Sequence, residues 1–148
     1  MGANKPNRVK MGYHKSILIV AAFSVLALLA AQFGGKAIMG IFVNDEAVIS
    51  LGARAIKITS CAYFPLGMIY ITRGLLNGTG DAFYAMINGF VEVAGRIGLS
   101  TILATIPFLG VYSVWTTTGL TWTITAIASV IRYKQGKWKE KSLVKTAV

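Results

Sequence analysis

The chain is poor in the residues that build compact soluble sites. Its 148 residues include one cysteine (Cys61), one histidine (His14) and five acidic residues. A single thiol excludes a disulfide scaffold, and this donor set is too thin for a tetrahedral zinc site. Charged residues make up only 14%, where a soluble domain carries about 25%. No Ser/His/Asp or Cys/His arrangement is visible, so nothing points to an enzyme. Gly78-Thr79-Gly80 lacks the Lys-Ser/Thr ending of a P-loop, so no nucleotide cofactor is indicated.

What is abundant is apolar surface. Hydrophobic residues reach 55% and the mean hydropathy is +0.63. That excludes intrinsic disorder, which needs low hydrophobicity. The net charge is +10, with Lys5, Arg8, Lys10 and Lys15 in the N-terminal arm and six basic residues from Arg132 to Lys145 in the tail. A nucleic-acid binder is also basic, but it does not carry charge-free runs of about twenty residues between its basic arms. Basic ends on apolar spans fit the positive-inside rule, with the lipid bilayer as partner and no nucleic acid.

The pattern predicts an all-α integral membrane bundle of four helices, over about 16–42, 47–76, 82–106 and 110–133. A basic arm (1–15) precedes them and a basic tail (134–148) follows. The first charge-free run, Ile17 to Gly35, is nineteen residues long, about 28 Å as a helix. A signal peptide would have a shorter apolar region and a small-residue cleavage site. Gly34-Gly35 and Asn44-Asp45-Glu46 mark the first exit, with Asn44 or Asp45 as helix cap. Pro65 predicts a mid-span kink, with Ser60 or Cys61 near the freed carbonyl. Asn77-Gly78-Thr79-Gly80-Asp81 reads as a turn. It is also a formal glycosylation sequon, discounted because the topology places it inside. The threonines of the last span can bond to their own preceding turn and need not line a pore.

Four spans bring both ends to one side. Eleven basic residues then lie inside, Arg73 among them, against Lys36, Arg54 and Lys57 outside. That bias predicts cytoplasmic termini in a multi-pass protein of the cell (inner or plasma) membrane.

The costly feature is Glu92 with Arg96 in the third span. Each ionisable group opposes insertion by roughly 2.5–3.5 kcal/mol at a helix centre. Four residues apart, they share a face and can neutralise each other. Two readings stand: a polar site for a cation, proton or substrate, or an ion pair that locks packing. An arginine beside a carboxylate lowers its pKa and makes a poor proton carrier. Asn88, one turn earlier, is a helix-packing contact or part of a cavity wall. Gly74 and Gly78 form a GxxxG, the pattern of close helix approach in membranes. The tail from Tyr133 to Lys145, with Trp138, is expected at the headgroup surface.

Particular stretches resemble the multidrug and toxic compound extrusion (MATE) transporters. Gly2-Ala3-Asn4-Lys5-Pro6-Asn7-Arg8-Val9-Lys10 is similar to a family loop before an apolar helix. Ile41-Phe42-Val43-Asn44-Asp45-Glu46-Ala47-Val48 resembles a family turn, and Arg73-Gly74-Leu75-Leu76-Asn77-Gly78-Thr79-Gly80-Asp81 its arginine-glycine signature at the inner end of a helix. Glu92 through Arg96 resembles the helix that follows, and Trp122 with Arg132 to Lys139 the last helix and tail. The resemblance implies a twelve-helix antiporter of two six-helix lobes. Such a protein exports organic, often cationic, drugs in exchange for Na+ or H+. The chain would be the last four helices of the second lobe, partnered by the missing N-terminal helices, with most coupling carboxylates in those parts. The alternative is a self-contained four-helix membrane protein that acts by homo-oligomeric assembly.

Overall fold

A computed structural model describes residues 6–136 and Trp138. Every regular element among them is helical: α1 (Pro6–Gly40), α2 (Glu46–Ser60), α3 (Tyr63–Gly78), α4 (Ala82–Ala104), a 3-10 turn (Gly110–Tyr112) and α5 (Ser113–Gln135). Helix α1, α4 and the last turn-plus-helix segment are each long and apolar enough to cross a bilayer. Helices α2 and α3 pass that test only as a pair, bent by 52° at the break between them, which makes three spans, or four where the pair counts as one. Leu18, Ile19, Phe23, Leu26 and Phe33 of α1 stay exposed, as suits a lipid-facing surface rather than a soluble core.

Helix α1 takes in residues 6–15, within the stretch expected as an arm. The helix also passes through Gly34-Gly35, expected as an exit. Gly35 instead faces α2: a Cβ there would lie 3.5 Å from the Ala53 carbonyl oxygen, in ordinary van der Waals contact. Of the two expected caps, Asp45 acts, its carboxylate accepting from the Ala47 and Val48 amides at 2.8 and 3.1 Å.

The kink expected at Pro65 falls at Cys61–Ala62, between α2 and α3. A proline ring excludes the carbonyl four residues before it, which here is that of Cys61. Pro65 itself sits in the first turn of α3, where amides lack intrahelical partners anyway. Gln32 of α1 donates to the Lys57 carbonyl at 3.2 Å, near the end of α2.

The turn at Asn77–Asp81 ends α3 as a Schellman motif. The Asp81 amide bonds to the Leu76 carbonyl at 2.8 Å and the Gly80 amide to the Asn77 carbonyl at 3.1 Å. Gly80 supplies the left-handed φ of 88° this closure needs. Gly136, with φ 73°, also follows its helix in left-handed backbone, its amide bonded to the Tyr133 carbonyl at 3.1 Å.

The GxxxG expectation is corrected. A Cβ on Gly74 or Gly78 would meet nothing within 4 Å. Both line an open groove with Gly12, Tyr13 and Ser16. The close approach of α1 to α3 occurs at Gly67, where a Cβ would collide with the Val20 Cγ1 methyl.

Two apolar clusters hold together the half of the bundle that carries the α3–α4 turn. One joins Tyr13, Met68, Ile69 and Ala126; the other joins Leu76, Ala85 and Trp138. Trp138 was expected at the headgroup surface, but it is buried. Its Nε1 donates to the Tyr133 carbonyl at 3.0 Å, and its ring stacks on Tyr133, which stacks in turn on Tyr13. The left-handed Gly136 follows α5, and the indole packs with Leu76 at the end of α3 and Ala85 at the start of α4. The rest of the tail expectation, Lys137 and 139–148, lies outside the described residues, as do residues 1–5 of the arm.

Candidate functional site

Asn88, Glu92 and Arg96 recur every four residues along α4 and so share one face. Glu92 and Arg96 do pair, with Oε1 and Nη2 3.6 Å apart. A shorter contact comes from another helix. Arg73 of α3 donates from Nη2 to Glu92 Oε2 at 2.8 Å. The resemblance placed Arg73 at the inner end of its helix as part of a turn signature. Its position five residues before Gly78 lets its long side chain reach the α4 face.

One carboxylate thus serves two guanidiniums, and the cluster carries a net positive charge. Arg96 is half exposed, with 51% of its side chain accessible, and it donates no hydrogen bond among the described residues. Arg73 Nε is buried without a partner among them. Two guanidiniums already face the Glu92 carboxylate and oppose a further cation, so the geometry is unsuited to holding Na+ there.

Asn88 packs between α4 and α5. It is 1% exposed, and its Nδ2 donates to Ser129 Oγ at 2.7 Å across the α4–α5 interface. Ser129 donates onward to the Thr125 carbonyl. Asn88 Oδ1 is buried with no partner among the described residues.

Helix α5 buries Ser113, Thr117, Thr121, Thr125 and Ser129, a hydroxyl every four residues. Thr116, Thr118 and Thr123, on other faces, bond back to the carbonyl four residues earlier. The buried Thr117, Thr121 and Thr125 do not; their hydroxyls have no partner among the described residues. A methyl is what Thr121 sets against α4, 3.5 Å from where Gly95 would carry a Cβ.

A second ion pair closes the end of the bundle where α3 gives way to α4. Asp81, fully buried after the α3 turn, accepts from Arg132 Nε and Nη2 at 3.0 and 2.7 Å. The same guanidinium lies over the Tyr84 ring, 4.6 Å from its centroid. Neither Asp81 nor Arg132 stood out in the sequence as a site residue. Their separation of 51 residues carries no local periodicity, and only the turn composition around Asp81 was legible.

Comparison with the curated proteins and with the solved structures returned no match. The MatE family model matches residues 1–100, which contain α1 to α3, most of α4, and both Arg73 and Glu92. With two thirds of its length under that match and a helical membrane bundle as its fold, the chain belongs to the MatE family of membrane transporters.

Proposed function

We propose that the chain supplies four spans of an efflux antiporter that exports organic compounds in exchange for Na+ or H+. The MatE match over residues 1–100 carries this reading. It favours a transporter over a self-assembling four-helix protein. In this reading both termini are cytoplasmic, the membrane is the cell's inner or plasma membrane, and the remaining helices of the transporter complete the cavity. Alternating access needs two lobes rocking about a midplane site, and this bundle forms part of one wall.

The coupling ion binds elsewhere in the transporter. The chain has five acidic residues. Asp45 caps a helix, Asp81 holds Arg132, and Glu92 is shared by two arginines. Glu46 lies in the first turn of α2, outside the span centre, and Glu140 lies in the basic tail. None offers a free carboxylate at mid-depth.

Ethidium efflux from cells that express the complete transporter tests the reading. Extrusion should require the protein and collapse when the Na+ or H+ gradient is dissipated. Retention of dye at the level of empty cells would contradict it.

A further inference from the structure

We propose that Arg96 is an anion-binding group that receives the carboxylate of an amphipathic organic solute. The proposal rests on the transport reading, whose cavity would bring such a solute to α4. It narrows the solute class at this point of the wall. Arg96 has five N–H donors and uses none in a hydrogen bond among the described residues. Its contact with Glu92, at 3.6 Å, is longer than a hydrogen bond. The nearer oxygen distance belongs to Arg73, at 2.8 Å.

The charge count gives the stoichiometry. Two guanidiniums and one carboxylate leave one positive charge, which one further carboxylate neutralises. The planar fork of arginine matches two carboxylate oxygens in parallel. Among the described residues Arg54, Arg73 and Arg132 each donate to a partner, whereas Arg96, near the middle of α4, does not; Arg8, which also donates none, lies at the beginning of α1.

Depth argues against a lipid headgroup as the anion. Arg96 lies about 5 Å from the midpoint of the 23-residue α4, not at an end. Its neighbours on the exposed surface, Val93 and Ile97, are apolar and accessible. They offer a surface to the hydrocarbon part of a solute and lower the local dielectric, which strengthens the charge pairing.

The test uses the purified chain in phosphatidylcholine nanodiscs, with fluorescence polarisation of rhodamine B and of its ethyl ester. The two dyes share a cationic ring system and differ in the free carboxylate. The acid should bind about tenfold tighter than the ester, as one charge-assisted bidentate contact gives. Arg96→Gln should cut that preference to less than about twofold, and Arg96→Lys should retain part of it. Arg96→Gln keeps the shorter Arg73–Glu92 contact, so its thermal unfolding in detergent should match the parent. Equal binding of acid and ester, or a preference that survives Arg96→Gln in a variant with parental unfolding, overturns the proposal. Dye export by the complete transporter is a separate readout, so failure here leaves the transport reading standing, and the reverse.

Discussion

The Asp81 carboxylate and the Arg132 guanidinium, 51 residues apart in the chain, meet at 2.7 Å at the end of the bundle where α3 gives way to α4. The carboxylate is fully buried and the arginine nearly so. They tie the turn between α3 and α4 to the last turns of α5, beside the Trp138–Tyr133–Tyr13 ring stack.

Removing one partner of such a pair leaves an uncompensated buried charge. Asp81→Asn should destabilise the bundle by about 3 kcal/mol, read by thermal unfolding in detergent. Asp81→Asn with Arg132→Gln should recover most of the loss. An Asp81→Asn protein that unfolds like the parent would show that the pair does not hold this end of the bundle.

Glu92→Gln unpairs two arginines at once. Folded yield in membranes should fall, with a stability loss of about 2 kcal/mol, less than for a fully buried pair because Glu92 is 21% exposed. A second change, Arg73→Gln, should restore more than Arg96→Gln does, since Arg73 makes the shorter contact. The reverse order of rescue would place the dominant pair within α4.

That ranking also marks how far the sequence was legible. The Glu92–Arg96 pair follows from i,i+4 spacing, and the structure contains it. Arg73 reaches Glu92 from another helix, and no local period encodes a tertiary contact 19 residues long. The four apolar stretches, the Asp45 cap and the Gly80 turn were readable because each depends on neighbours in sequence. The break at Cys61–Ala62 was misplaced by one helical turn because a proline acts on the carbonyl four residues before it. The GxxxG at Gly74 and Gly78 misled for a different reason. Glycine spacing states where helices can approach, while packing decides that they do so at Gly67.

Gly67 permits the approach of α3 to α1. Gly67→Ala should cost about 1–3 kcal/mol, because the new methyl collides with a stiff β-branched side chain. Val20→Ala in the same protein should relieve most of it. Gly89→Ala, whose Cβ would meet nothing within 4 Å, is the matched control and should be neutral or slightly stabilising. Equal losses at Gly67 and Gly89 would contradict this helix contact.

Gly80 holds a left-handed backbone. Gly80→Ala should cost about 1–2 kcal/mol in unfolding free energy. Gly78→Ala, two residues earlier in helical backbone, should cost little. A harmless Gly80→Ala would mean that α3 does not end in the Schellman closure.

Everything functional depends on the four crossings and on which side the ends lie. Cys61 replaced by serine gives a background for single cysteines at Asn7, Asn44, Asn77, Phe108 and Gln135. A membrane-impermeant maleimide applied to intact cells reads their exposure. Asn44 and Phe108 should label at once, and Asn7, Asn77 and Gln135 only after permeabilisation. Labelling of Asn7 and Gln135 from opposite faces, or of Asn44 only from within, would contradict the account.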